Sequence, residues 1–338
     1  MPKIPNPSPI EQMHVPWLVA TLGPSSAGKE AELAQRGATH FRINSSHLTL
    51  EGLTEYIDNA QSRAPEIPII IDLQGAKMRL GDFEPRSVVA GQHVSFALAG
   101  AASKDDIPLP HAEPYAVLKA DDAVSIDDGR LVATVKAVQS QRIDVCMQSE
   151  GQLRPRKGFN RAVHPVALDK LTLRDTEIVK VGYAAGCRRF ALSFVGDGRE
   201  CDWVRQQVGP VEVIAKIERQ DALANIERIA QASDTLWICR GDLGAQLGLA
   251  ALGRTVAAIF PKSFSIPVLM AGQVLEHLTE HRTPTRSEVC HLYDLLGRGY
   301  AGIVLSDETA IGCDPQNALC VAHELIDAFV RGRALRGP

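Results

Sequence analysis

Short apolar runs of five to seven residues recur along the chain. They alternate with stretches in which apolar residues return every three to four positions. The runs are Trp17–Leu22, His40–Asn44, Pro68–Leu73, Arg189–Phe194, Val211–Ile217, Thr235–Arg240, Ile266–Ala271 and Gly302–Ser306. Runs that short and continuous predict strands buried on both faces. The intervening stretches predict helices over Gly28–Arg36, Leu50–Arg63, Lys170–Ala184, Arg199–Gln207, Asp221–Ala232, Leu249–Pro261, Arg286–Leu296 and Gln316–Val330. Ala222, Ile226, Ile229 and Ala230 show the helical spacing most clearly. Strands alternating with helices predict a parallel sheet, and eight such units predict a closed (β/α)8 barrel.

One interval breaks the rhythm. Between Asp82 and Arg156 the pattern predicts no helix. Instead there are strand-like runs at Val88–Ala97, Ala123–Ile126, Leu131–Val138 and Arg142–Met147, with a turn at Asp127-Asp128-Gly129. Asp-Gly between apolar runs is a hairpin signal. The division expected is a barrel over 1–81 and 157–338, with a small β domain over 82–156 inserted after the third barrel strand.

The chain has 338 residues, 45% of them apolar, which is enough for a large core. A net charge of −4 argues against a nucleic-acid backbone binder, which normally carries a basic excess. No run approaches the ~20 apolar residues of a membrane span. Met1–Pro16 has no apolar core of a secretory signal. The seven cysteines are scattered, odd in number and form no C-x-x-C pair. A reduced, cytoplasmic chain is therefore expected.

In a barrel of this type the working face is the carboxyl end of the strands. There the sequence places Pro24 after strand one, and Arg42, Asn44, Ser46 and His47 at strand two. Asp72, Lys77 and Arg79 follow strand three, and Ser193 ends strand four. Strand five brings Lys216 and Glu218, strand six Arg240, Gly241 and Asp242, strand seven Gly272 and Gln273, and strand eight Ser306 and Glu308. A cation and two carboxylates at neighbouring strand ends can hold a divalent metal and an anionic substrate together. Each residue also has a structural reading. Arg42 can simply pair with Asp72, and Lys216 can be a satisfied barrel-interior cation. Glu218 and Asp242 can be carboxylates favouring a helix dipole, and His47 can be an ordinary loop histidine.

The motifs T-L-G-P-S-S (21–26), F-R-I-N-S-S-H (41–47), I-D-L-Q-G-A-K-M-R-L-G (71–81), D-D-G-R-L (127–131), K-G-F-N (157–160), A-K-I-E-R (215–219), C-R-G-D-L-G (239–244), P-T-R-S-E (284–288) and S-D-E-T-A-I-G (306–312) run in one order along nearly the whole chain. In that order the chain resembles the pyruvate kinase family. The resemblance implies an α/β fold: a TIM barrel with a small β-barrel-like lid domain inserted after strand three. Because the chain stops after the eighth barrel helix, it also implies a short form without the usual C-terminal regulatory domain. The activity implied is metal-dependent phosphoryl transfer from phosphoenolpyruvate to ADP, giving pyruvate and ATP. By the same resemblance, Glu218 and Asp242 would hold Mg²⁺ or Mn²⁺. Lys216 would lie beside the transferring phosphoryl group and Arg42 would grip the substrate phosphate. Ser193, Gly272 and the backbone at Gly241 and Asp242 would complete the substrate site. Pro24, Asn44, His47, Arg79 and Lys157 would contact the nucleotide. Asn44, Ser46, Asp72 and Leu73 fall where the family can bind K⁺. Barrel surfaces leave a homo-oligomer open.

Two departures modify this picture. Potassium-dependent relatives have Thr-Lys, then Glu, where this chain has Leu73-Gln74, then Lys77. The combination resembles potassium-independent members, in which a tethered ammonium supplies the charge of the ion, so activity without K⁺ is expected. The second departure is Gly272, which stands where the family has a threonine tied to protonation of the enolpyruvate methylene. Asp307 also replaces a family glycine. These changes leave two further readings open: a metal-dependent lyase or decarboxylase of 2-oxo acids, and a non-catalytic binding or regulatory protein.

Overall fold

The computed structural model of the chain describes residues 15–75, 78–98, 100–127, 129–161 and 168–334. Eight parallel strands close into a barrel. In chain order they are β1 (Trp17–Leu22), β2 (His40–Asn44), β3 (Ile69–Leu73), β4 (Arg189–Leu192), β5 (Glu212–Ile217), β6 (Thr235–Cys239), β7 (Val268–Ala271) and β8 (Gly302–Leu305). Consecutive strands are neighbours, and β8 pairs with β1 through Trp17 opposite Gly302 and Ala20 opposite Leu305. Strands β3, β6, β7 and β8 are buried at every position, which is why they read as apolar runs, Asp72 in β3 and Thr235 in β6 excepted.

Alternation along each strand sorts the core into two layers. Val19, Ile70, Ala191, Ile214, Trp237, Leu269 and Val304 point inward and fill the barrel. Their neighbours Leu18, Ile71, Phe190, Val213 and Ile303 point outward and pack under the helices. Caps set the helix starts. Thr49 caps Leu50–Arg63 and Thr172 caps Leu173–Ala184. Thr285 and Glu288 form a reciprocal capping box on Arg286–Arg298.

Between β3 and β4 the chain leaves the barrel. Strand Met78–Arg79 goes out and Gly158–Arg161 comes back, paired antiparallel with each other. They are the first two strands of a seven-stranded sheet with its own core of Phe96, Ile126, Val135, Ile143 and Phe159. The strands Ala123–Ile126 and Leu131–Gln139 that flank the expected hairpin turn pair antiparallel, with Ile126 opposite Leu131, while Asp128 of that turn lies outside the described residues.

Several elements differ from the sequence reading. The run Val88–Ala97 is two strands, Arg86–Val88 and His93–Ala97, divided by a turn at Gly91, whose φ of 84° suits glycine. The interval expected to lack helix contains one turn, Glu113–Val117, started by Pro114. The helix expected over Asp221–Ala232 is two, Gln220–Ala224 and Ile226–Ala232. Asn225 breaks it, since its side-chain amide donates to the carbonyls of Gly196 and Asp221. The helix expected over Leu249–Pro261 ends at Ala258, before Pro261. Strand six stops at Cys239, and Arg240 already belongs to an unexpected helix, Arg240–Leu247. No helix among the described residues is long and apolar enough to cross a membrane.

Candidate active site

Asp72, the second-last residue of β3, organises the barrel mouth. Its Oδ2 accepts from Arg42 Nε at 2.8 Å and Nη2 at 2.5 Å. Lys216 Nζ lies 3.1 Å from both Asp72 oxygens, 2.8 Å from Ser193 Oγ and 3.0 Å from Glu218 Oε1. Arg42 Nη1 donates to Thr21 Oγ1 at 3.0 Å, and Ser193 Oγ donates to the Leu73 carbonyl at 2.7 Å. Strands β1 to β5 thus each contribute to one buried cluster. Asp72 and Glu218 are each 2% exposed and Lys216 is 8% exposed. Such groups stay charged inside a protein only when paired. Burial works to raise the Asp72 carboxyl, but the Lys216 ammonium and then Arg42 outweigh it and hold it below its usual range. Burial likewise works to lower Lys216, and the Asp72 and Glu218 carboxylates outweigh it and hold Lys216 above its usual range. Lys216 is therefore a fixed cation at neutral pH.

Glu218 is held from its other side. Its Oε2 accepts from the Phe194 backbone N–H at 2.9 Å. Phe194 has a φ of 58°, a left-handed conformation strained for that residue. Arg219 steadies it by donating to its carbonyl at 3.2 Å while clasping Asp221 with two bonds. Burial, reinforced first by Glu218 and also by Asp72 and Asp242, pushes the Cys239 thiol well up. Among the described residues no three His, Cys, Asp or Glu side chains form a metal-binding group. The donor set that the resemblance implies, Glu218 and Asp242, would be two hard carboxylates. It suits a divalent ion that keeps waters and completes its shell with substrate oxygens, as Mg²⁺ and Mn²⁺ do, and does not suit zinc. Gly241 and Asp242 lie in the first turn of Arg240–Leu247, where backbone N–H groups favour an anion.

Gly272 and Gln273, after β7, have φ values of 81° and 55°. A side chain begun at Gly272 would meet only the backbone nitrogens of Gly241 and Arg240, at 3.7 and 3.9 Å. Glu308, after β8, is buried, accepts from Ser306 N–H at 2.7 Å, and is pushed up by that burial. Asp307 faces solvent.

A cleft of about 840 Å³ opens between the barrel and the insert, and Arg42, Asp72, Lys216 and Glu218 are not among its lining residues. Ser46 and Gln74 line it from the barrel, and Arg79, Asp82, His111 and Arg156 from the insert. Arg79 Nη1 donates to the Arg156 carbonyl at 3.1 Å, and its backbone N–H donates to His111 Nε2 at 3.0 Å. Lys157 Nζ pairs with Asp127 Oδ1 at 3.1 Å, on the insert's hairpin. Asn44 Oδ1 accepts from Ser46 N–H at 3.2 Å, and Pro24 is exposed on the rim. His47 closes a 3-10 turn, Ser45–His47, but its side chain lies outside the described residues, as does all of Lys77.

The structural reading of Arg42 therefore holds: it does pair with Asp72. The same pairing aims it, together with Lys216, at the mouth. Sequence reasoning missed Asp175. Its carboxylate accepts from the N–H groups of Gln74 and Gly75, both at 3.0 Å, and from Thr172 Oγ1 at 2.9 Å, fixing the loop after β3. Burial pushes it up to about 6 against those three donors. The Thr172-x-x-Asp175 spacing was the available signal. Gly75 is required there, because a Cβ would lie 2.0 Å from the Ser193 carbonyl oxygen.

A family model described as "Pyruvate kinase, barrel domain" matches residues 14–319. The pyruvate kinase of Methylorubrum extorquens is 32% identical over 327 residues, covering 93% of this chain and 68% of the relative. That of Agrobacterium vitis is 32% identical over 323 residues, covering 92% and 67%. The chloroplastic pyruvate kinase isozyme G of Nicotiana tabacum is 30% identical over 323 residues, covering 90% and 57%. The chain thus spans about two thirds of the bacterial relatives and little more than half of the tobacco one.

Proposed function

The chain belongs to the pyruvate kinase family, and on that premise we propose that it transfers the phosphoryl group of phosphoenolpyruvate to ADP, yielding pyruvate and ATP. One observation carries the reading to this chain: the buried Arg42–Asp72–Lys216–Glu218 cluster, with two cations held charged by one carboxylate. Phosphoryl transfer needs little covalent work from a protein. It needs positioning and the spreading of negative charge over fixed cations. An entering phosphoryl group takes over part of the donor capacity that Arg42 and Lys216 now direct at Asp72. The Gly241 and Asp242 N–H groups seat the substrate carboxylate.

A divalent ion between Glu218 and Asp242 would supply Lewis-acid neutralisation of the substrate oxygens. The acceptor nucleotide would enter the cleft that Arg79 lines, with Pro24, Asn44, His47 and Lys157 as the further contacts that the family resemblance implies. The insert acts as a lid whose closure excludes water from the transferring group. Gly272 offers no hydroxyl, so the proton that completes pyruvate at its methylene carbon comes from solvent. Both Asp72 oxygens are engaged by side-chain cations, and Lys77 lies in the same loop. We therefore read the activity as independent of K⁺.

The test is ADP-dependent pyruvate release from phosphoenolpyruvate with Mg²⁺, run beside 2-oxo acid decarboxylation without ADP. The proposal expects turnover only in the first assay. Turnover only in the second would replace phosphoryl transfer with enolate chemistry of another kind. Ligand binding with no turnover in either would leave a binding protein.

A further inference from the structure

Arg240 joins three elements through one guanidinium. Its Nε and Nη2 donate to the Gly272 carbonyl at 3.0 and 2.6 Å, and Nη2 also reaches the Gln273 carbonyl at 2.6 Å. Its Nη1 lies 2.7 Å from His291 Nε2, on the helix Arg286–Arg298. Gly272 and Gln273 are both left-handed, a conformation strained for Gln273. The turn persists because both carbonyls converge on one cation. The turn also packs against the anion seat, since the Cβ direction of Gly272 points at Gly241 N.

The fourth contact constrains chemistry. A guanidinium only donates. His291 Nε2 must therefore present a bare lone pair, with any ring proton on Nδ1. A second ring proton would remove the acceptor and set imidazolium against guanidinium at 2.7 Å. The groups around the pair relieve this only in part, and His291 remains lowered. Burial lowers His291 first, Arg240 second, and Arg298 adds to it, while Asp294 on the same helix opposes. Tyr300, Glu276 and Glu308 surround Arg240.

We propose that His291 is a positioning residue: as a neutral acceptor it fixes Arg240, which holds the strained Gly272–Gln273 turn against the Gly241 N–H, so that acidification loosens the substrate-carboxylate seat. It rests on the phosphoryl-transfer reading for its kinetic consequence only. The linkage sign follows from the lowered value. The native contact is complete at neutral pH and is lost as pH falls below 6.5 through the native value.

Pyruvate formation is measured from pH 5 to 8 for the wild type, His291→Gln and His291→Leu, with thermal unfolding of each. A glutamine oxygen can accept from Arg240 but cannot titrate. His291→Gln should stay within about threefold of wild type at pH 7.5 and lose the acid fall in kcat/KM. His291→Leu should raise the KM for phosphoenolpyruvate about tenfold or more at every pH, with a smaller change in kcat. An unchanged acid limb in His291→Gln, or wild-type KM in His291→Leu, overturns the proposal. Ring ¹⁵N shifts of His291 report the contact without substrate. Nε2 should be unprotonated at pH 7 and gain its proton only below 6.5. A protonated Nε2 at pH 7 sinks the proposal even if no pyruvate is formed by any variant, whereas the expected shifts without turnover would fault the phosphoryl-transfer reading alone.

Discussion

Asp72 is the residue on which the mouth depends. It neutralises two cations that would otherwise be buried close together. Removing one partner from a buried ionic cluster leaves uncompensated charge, typically at a cost of about 3–5 kcal/mol. Asp72→Asn should therefore lower the unfolding free energy by that order in urea at pH 7, and a loss under 1 kcal/mol would contradict the network described. Because the Asp72 carboxyl is held below its usual range, its contribution is present above about pH 4 and lost only as pH falls through its lower native value. The same pairing bears on monovalent ions. With both Asp72 oxygens engaged, adding K⁺ to a Na⁺- and K⁺-free assay should change the rate by less than about twofold. Activation of tenfold or more would show that K⁺ has a site.

At the scale of elements, the function sits on strand ends and the turns that follow them. The turn after β7 is the most testable. Gly272 has space for a side chain but a left-handed backbone, and β-branched residues pay most for that conformation. Gly272→Thr should thus lose about 1–3 kcal/mol of stability while preserving or raising pyruvate formation through the restored hydroxyl. A collapse of turnover in a folded variant would argue against that role. The parallel strands were legible because their apolar runs are buried on both sides. Lys216 and Glu218 were legible as charges interrupting or ending such a run. The helix at Arg240 was not, because Gly241 and Gly244 read as a turn by intrinsic propensity. It forms where Leu243 can be buried directly after β6. Asp175 and His291 were invisible as site residues because their partners lie 100, 101 and 51 positions away in sequence.

At the scale of the whole molecule, the end of the barrel opposite the mouth carries a stabilising contact of its own. At the amino-terminal end His40 stacks on Trp17, with ring centroids 3.9 Å apart. Burial, then Arg189, lowers His40 from 6.5 to about 4. A neutral imidazole that resists protonation contributes stability at neutral pH, and this is lost between 6.5 and 4, by about 3 kcal/mol. Asp175, pushed up to about 6, works in the opposite sense over part of that window. The His40 contribution is isolated by comparing urea unfolding of wild type and His40→Phe at pH 7.5 and 5. The wild type should lose more stability on acidification than the variant. Equal losses would place the acid sensitivity elsewhere. The insert has its own core, separate from that of the barrel.

The central claim is that Glu218 and Asp242 clasp one hard divalent ion beside the Lys216 ammonium. Manganese binding followed by electron paramagnetic resonance, with and without oxalate as a mimic of the pyruvate enolate, tests it most directly. The account predicts one Mn²⁺ per chain, tightened by oxalate, with binding weakened at least tenfold in folded Glu218→Gln and Asp242→Asn. Wild-type Mn²⁺ affinity in both variants, or no binding by the wild type, would contradict it.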